Sequence, residues 1–336
     1  MLDGAPAWTT ISPNPSTLNF ATPYNNPNKP EAPKYWRDYV EAMISHYRGR
    51  IDNWEAWNEP WGEFFPGSSK QYANLLKSAY MTSKAANPSA TIIEVDAYRY
   101  LPNRPDMKPD FAKNVLKASG SAYFDAFSYH DYTPSAVAGP QDNVQLNEAR
   151  DFRSLQLQYD NGPIRPQWTT EGGLEFPVRS IYASPNNSGT QPILSDMGQM
   201  ARFLISLMAS GSRHFFLYAL ISDSQFPTSD YNAPYCLLEY DRSISPQLAP
   251  YAVLASLVDG AGVPSVDFAT TGLAEFHFPK ESGKQVDALW AYYNVTHSIP
   301  EPAGAVVIDV QGNVLQSSPA INIGSAPVYI VRHASP

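Results

Sequence analysis

From Ile51 to Val258 the chain alternates short β-rich runs with longer amphipathic stretches, and nothing else in it restricts the fold so much. Strand-like runs fall at Ile51–Trp57, Thr91–Ala97, Tyr123–Tyr129, the residues leading to Glu171, and Arg213–Tyr218. Between them the spacing predicts helices over Ser69–Ala86, Phe111–Ala118, Asn143–Tyr159 and Ser195–Ser210, with two more at Pro33–Tyr47 and Pro250–Val258. The strand-to-strand period is about 35 to 45 residues, room for a helix and a loop, so the strands are expected to be parallel. Tyr123–Tyr129 is apolar almost throughout, as a parallel strand covered on both faces must be. Leu2–Trp8 reads as a further short strand before a Pro- and Asn-rich loop from Ser12 to Pro33. After Asp259 the pattern changes. Phe268–Phe278, Asp287–Val295, Ala305–Val310 and Pro327–Arg332 are β-rich runs with no helix between them. The expected domains are a parallel α/β barrel in residues 1–258 and a small antiparallel β-sandwich in residues 259–336.

Composition narrows the partners. A chain of 336 residues with 43% apolar content can bury a large core. A net charge of -9 leaves no basic face to neutralise phosphates, which argues against nucleic acid or an anionic membrane. No apolar run reaches the roughly 18 residues of a membrane span. With the single Cys236 there is no intramolecular disulfide, and the redox compartment stays open. The first residues lack the basic and apolar regions of a secretion signal. The expectation is a cytoplasmic protein, or a secreted or periplasmic one whose signal lies upstream. The 21 Tyr and 7 Trp suit a cleft that stacks on sugar rings, and equally a well-packed barrel.

The most specific stretch is Arg50–Phe65, RIDNWEAWNEPWGEFF. Pro60 cannot donate a ladder hydrogen bond and favours an extended Glu59, so Glu59 is expected where a strand hands over to a loop. In a parallel barrel that handover builds the active site. Trp57-Asn58-Glu59-Pro60 resembles the end of the fourth strand in the clan A glycoside hydrolases, whose acid/base Glu follows an Asn. In that clan a second Glu, the nucleophile, ends the seventh strand, and Gln167-Trp168-Thr169-Thr170-Glu171-Gly172-Gly173 is similar to that element. Within the clan the chain looks most like family 39, the β-xylosidases and α-L-iduronidases, with families 5 and 30 as neighbours.

The resemblance implies a TIM-type (β/α)8 barrel. It also fixes a count: with WNEP ending the fourth barrel strand, Leu2–Trp8 is the third, and the first two βα units are lacking. Truncation is the favoured reading. A second copy or another chain supplying the edge, or a different count, are the others. Unpaired edges on the third and eighth strands would invite self-association.

Cleaving a glycosidic bond needs a proton on the departing oxygen and a carboxylate at the anomeric centre. The resemblance assigns these roles to Glu59 and Glu171, with retention of configuration. It places Asn58 at the sugar 2-hydroxyl and His130 and Tyr132 near the site, Tyr132 orienting the nucleophile. His130 is weighed evenly against a structural role. Trp8 and Tyr218 could floor the sugar subsite or pack the core, and Trp61 and Phe64 could line outer subsites. Glu94 and Asp96 face either the barrel interior or its outside, and Glu63 and Glu175 are rival carboxylates. No metal-ligand cluster, GxGxxG or GxSxG occurs, so no metal and no cofactor are expected. The expected function is a retaining glycoside hydrolase acting on a polysaccharide or an oligosaccharide. Its rival is a non-catalytic carbohydrate-binding protein or an inactive fragment.

Overall fold

The computed structural model describes residues 1–2, 32–62, 64–65, 67–98, 107–133, 143–159, 164–176, 190–222, 233–279, 283–293 and 295–333. Trp8, Glu63 and all of the Leu2–Trp8 strand but Leu2 lie outside the described residues. The chain divides into two compact units, Met1–His130 with Arg150–Thr170, and Asp131–Ala149 with Glu171–Pro336.

The first unit is built on parallel strands. β1 (Asn53–Glu55) pairs with β2 (Thr91–Ala97), Trp54 opposite Ile92, and β2 pairs with β3 (Ala126–Asp131). The N–H of Phe127 donates to Pro166 O at 2.9 Å, which brings β4 (Gln167–Gly172) beside β3. Leu2, itself buried, donates its N–H to Glu55 O. Helices α1 (Ala32–Tyr47), α2 (Ser69–Ala86), α3 (Phe111–Ser119) and α4 (Val144–Tyr159) connect the strands. Helix α2 starts where a capping box dictates: Ser68 Oγ accepts the Gln71 N–H while Gln71 Oε1 accepts the Ser68 N–H. It ends at Asn87, before a proline that cannot continue it. Its buried face, Tyr72, Leu75, Leu76 and Ala79, joins Val40, Ile44, Ile92, Val115 and Phe127 in one apolar core. Burying such side chains contributes about 1.5 to 3 kcal/mol each.

In the second unit Tyr218 N donates to Gly172 O at 2.7 Å, which sets β5 (Phe215–Leu217) beside the end of β4. Helices α5 (Thr190–Ala209) and α6 (Leu248–Val258) follow. From Ser265 the described elements are strands only: β6 (Ser265–Asp267), β7 (Leu273–Pro279), β8 (Lys284–Ala291), β9 (His297–Pro300), β10 (Val306–Ile308), β11 (Ala320–Ile323) and β12 (Val328–His333). They form an antiparallel sheet of order β10-β12-β8-β7-β6 and a ribbon of β9 and β11. Alternation decides what each face covers. Phe276, Phe278, Val286, Ala288 and Trp290 pack with Phe203 of α5 and Leu254 of α6. Leu289, Ala291 and Ile330 pack with Ile321 and Ile323 of the ribbon. The expected β-sandwich is therefore a sheet between two helices and a two-stranded ribbon.

Two strands are shorter than the sequence suggests. Ile51–Trp57 reduces to Asn53–Glu55 because Trp57 adopts φ 136° and leaves the ladder, and Arg213–Tyr218 reduces to Phe215–Leu217.

Candidate active site

In the first unit the site is built from strand ends that are not extended. Glu59 has φ 42°, a left-handed backbone unfavourable for a side chain with a Cβ. The extended conformation expected from Pro60 is thus overruled, and the contacts show by what. Asp96 Oδ2 accepts the Glu59 N–H at 2.5 Å. Lys108 donates its ammonium to the carbonyls of Pro60 at 2.9 Å, Gly62 at 2.7 Å and Phe65 at 2.5 Å, and its own N–H to Trp61 O at 2.8 Å. Partial burial lowers the Lys108 ammonium to about 8. A cation spread over three carbonyls ties together Pro60, Gly62 and Phe65 after Glu59.

Asp96 reaches that N–H because β2 bulges. The register passes from Glu94 opposite Phe127 to Ala97 opposite Tyr129, so Val95 and Asp96 together stand against Ser128. Both have positive φ, 98° and 42°. The N–H of Asp96 donates to Ser128 Oγ at 2.9 Å. His130, fully buried at the end of β3, meets the Glu59 carboxyl through Nδ1, 2.9 Å from Oε1, while its Nε2 lies 3.2 Å from Asp96 Oδ1 without hydrogen-bond geometry.

Two more carboxyls stand close by. Glu94, fully buried, accepts the Ala56 N–H at 2.8 Å, and burial together with the charges of Glu55 and Asp96 pushes it well above the ordinary range. Asp96 is raised well above its usual value by burial and by Glu55 and Glu59, against the opposing pull of His130. Burial also raises Glu55. Protons on buried carboxyls are the inexpensive way to hold so much potential negative charge out of water. Glu55, Asp96 and His130 offer ligand atoms within 4.8 Å of one another, a set that could hold a cation as an alternative to those protons.

In the second unit the Tyr132 hydroxyl donates to Glu171 Oε1. Tyr132 in turn meets Tyr235 edge-on at 5.5 Å and Tyr218 at 6.4 Å, and Tyr218 meets Tyr235 at 6.4 Å. The glycines after Glu171 have a steric cause. A Cβ on Gly172 would lie 2.4 Å from Asp131 O, and one on Gly173 would lie 2.4 Å from Tyr218 O. Only Gly lets the backbone after Glu171 come this close to both neighbouring strand ends. Asp131 is buried, accepts from Thr133 N at 2.9 Å and Gln145 Nε2 at 3.2 Å, and is raised to about 6 by burial.

The residues singled out in the sequence are thus distributed. Glu59 and His130 meet in the first unit, Glu171 and Tyr132 in the second, with Tyr218 beside Tyr132. Asn58 is half-buried, and its Oδ1 has no hydrogen-bond partner among the described residues. Trp61 is a correction to the outer-subsite expectation: it is 5% exposed and stacks on Tyr98 at 4.7 Å, so it packs the core. Glu94 and Asp96 face the interior, Glu175 is exposed, and Phe64 accepts the Trp57 indole N–H on its carbonyl. Sequence reasoning missed Glu55, Ser128 and Lys108. Glu55 carried a signal, an acidic residue in a strand of a barrel interior, whereas Lys108 acts across a loop and had none.

No protein-family model and no curated protein matches the sequence. Solved structures do. A family 39 glycoside hydrolase from the gut symbiont Bacteroides cellulosilyticus WH2 superposes with a TM-score of 0.68 at 19% identity, covering 96% of this chain and 64% of that one. A GH39 β-xylosidase from Caulobacter crescentus gives 0.56 at 16%, over 90% and 72% of the two chains. The catalytic domain of GH30 xylanase C from Talaromyces cellulolyticus gives 0.59 at 12%, over 98% and 74%. This chain spans 64% of the length of the first of these. Parallel strands with connecting helices, followed by antiparallel sheets, give this chain the fold of the family 39 and family 30 glycoside hydrolases.

Proposed function

We propose that this chain is a retaining glycoside hydrolase acting on a polysaccharide or oligosaccharide, with residues 1–258 carrying the chemistry and residues 259–336 covering apolar surface. The observation that carries the reading is a pair of glutamates, Glu59 in the loop after β1 and Glu171 near the C-terminal end of β4, each in contact with a polar side chain at or just after the end of β3. Glu171 attacks the anomeric carbon as the glycosidic C–O bond breaks, while Glu59 gives its proton to the departing oxygen. Water then cleaves the glycosyl ester, with Glu59 taking the proton back. The Tyr132 hydroxyl donates to Glu171 and fixes the direction of its carboxyl. Asn58, with Oδ1 unpartnered among the described residues, is suited to a sugar hydroxyl. The edge-to-face cluster of Tyr132, Tyr218 and Tyr235 offers the apolar wall that a sugar ring needs.

Aryl β-glycosides of xylose, glucose, galactose and glucuronic acid, assayed with wild type, Glu59→Ala and Glu171→Ala, test this. The expected result is turnover in wild type, its loss in both variants, and rescue by azide. Rescue should give a glycosyl azide of retained configuration from Glu59→Ala and of inverted configuration from Glu171→Ala. A folded wild-type chain that binds sugars and cleaves none, unaffected by either substitution, would make it a carbohydrate-binding protein instead.

A further inference from the structure

We propose that Lys108 is a positioning residue for Glu59: its ammonium, seated among loop carbonyls, holds the strained corner of the acid/base from the side opposite Asp96. The inference rests on the assignment of Glu59 as that acid/base. Glu59 carries two conformational penalties, a left-handed φ of 42° and a following proline that favours extended backbone. Such strain persists only where the surroundings over-determine it. Were the corner to relax, the carboxyl would leave His130 Nδ1, which stands 2.9 Å away. Asp96 secures the corner on one side by accepting the Glu59 N–H at 2.5 Å. On the other side the Glu59 carbonyl accepts the Gly62 N–H at 2.9 Å, closing a turn over residues 59–62. Lys108 holds that turn shut. Its Nζ donates to Pro60 O and Gly62 O and its N–H to Trp61 O, so every carbonyl from Pro60 to Gly62 is taken by this one residue. Nζ also reaches Phe65 O at 2.5 Å, and the Trp57 indole secures Phe64 O next to it at 3.1 Å.

The chemistry of the site asks for a lysine. Three carbonyls converging on one point need three donors that diverge from one atom, and among side chains an ammonium supplies them; the donors of a guanidinium lie in one plane. This ammonium pairs with no carboxylate among the described residues, whereas Lys34, Lys84 and Lys113 each pair with an aspartate. Its Nζ lies 5.9 Å from the ring centroids of both Phe65 and Phe111, which are buried. Burial lowers its pKa with no opposing counter-charge, so the cation is costly to keep there. A tie between two pieces of chain does not need a charge. Hydrogen bonds from a cation are stronger than those from a neutral donor, and a backbone corner held against its own preference does need that.

The test uses Lys108→Met, which keeps most of the stem and removes the charge and all three donors. With aryl glycosides of graded leaving group, kcat/KM for the poorest should fall by roughly 10- to 100-fold, the loss expected when a proton donor is misplaced by about an ångström. Dinitrophenyl glycosides, whose leaving group needs no acid, should change only a few-fold. Equal losses on all substrates, or none, would overturn the proposal. In Lys108→Ala the missing atoms are those of propylammonium, which should restore turnover of the poor substrates several-fold, while propanol at the same concentration should not. Equal recovery with the two, or none, would make Lys108 a packing residue. A further readout needs no turnover: ¹⁵N spectra of the histidine rings, with the His130 signals identified by their loss in His130→Gln. Lys108→Met should move the His130 Nδ1 signal toward its position in Glu59→Ala, and a signal unmoved from wild type would overturn the proposal. A wild-type chain that cleaves no glycoside yet shows this movement keeps Lys108 as the residue that holds Glu59 and removes the hydrolase reading. A chain that needs Glu59 and Glu171 but is indifferent to Lys108→Met keeps that reading and removes the positioning role.

Discussion

The two glutamates are held by opposite means. Glu59 sits in a strained corner among ionisable groups, with Asp96 on its backbone, His130 on its side chain, and Glu55 and Glu94 close behind. Glu171 sits on a regular strand, held by one phenol and followed by two glycines pressed against neighbouring backbone. The first environment is tuned by where protons lie, the second by how closely chains approach. This is the division that the proposed double displacement asks for: the acid/base must give up a proton and regain it, whereas the nucleophile must be held in place to attack and be released again.

The contrast can be broken from the second side first. Gly172→Ala puts a Cβ within 2.4 Å of a backbone oxygen that cannot swing away. It should cost about 3 kcal/mol or more, the top of the usual range for overpacking, read as a fall in denaturant midpoint. Gly62→Ala, with no atom nearer than 3.5 Å to its Cβ, should cost far less and serves as the control.

Asp131 sharpens the comparison, as a carboxyl of the second unit that burial raises. Its folded pKa is about 6 against an ordinary 3.8. Below pH 4 both folded and unfolded chains hold the proton, and the favourable contribution is complete. Between roughly pH 4 and 6 the unfolded chain loses its proton first, so stability falls by up to about 3 kcal/mol and then levels. Asp131→Asn should remove that slope, gaining on wild type at pH 7 relative to pH 4 in urea melts. Parallel curves for the two proteins would show that Asp131 ionises freely.

The smallest expected effect is Tyr132→Phe. It removes one hydrogen bond to a charged group, about 1.5 to 3 kcal/mol, so kcat/KM should fall roughly ten- to a hundredfold with thermal stability little changed. If rate and stability fell together, Tyr132 would be a packing residue of the tyrosine cluster.

What could be read in the sequence was what local chemistry determines. Helix α2 and strand β2 begin and end where the capping box at Ser68 and the turn at Asn87-Pro88 put them. Glu59 and Glu171 stood out because Pro60 and the Gly172-Gly173 pair punctuate the chain beside them. Everything that depends on distant partners was hidden. Glu59 is left-handed, against the preference Pro60 imposes, because Asp96 holds its N–H from 37 residues away. The bulge that delivers Asp96 leaves no trace in an alternating pattern, since TIIEVDA reads as an unbroken strand. Trp61 looked like a sugar platform beside the motif, and only the position of Tyr98 shows it to be core. The short strands β9 and β11 have too few buried positions for periodicity to register.

The measurement that tests the central claim most directly is covalent trapping. The chain is incubated with 2-deoxy-2-fluoro-β-glycosyl fluorides of the same four sugars and examined by intact-protein and peptide mass spectrometry. A retaining enzyme with Glu171 as nucleophile should gain the mass of one fluorosugar, carried on the peptide containing Glu171 and absent from Glu171→Ala. A folded chain that gains no label with any of the four, or one labelled at Glu175 instead, would contradict the assignment.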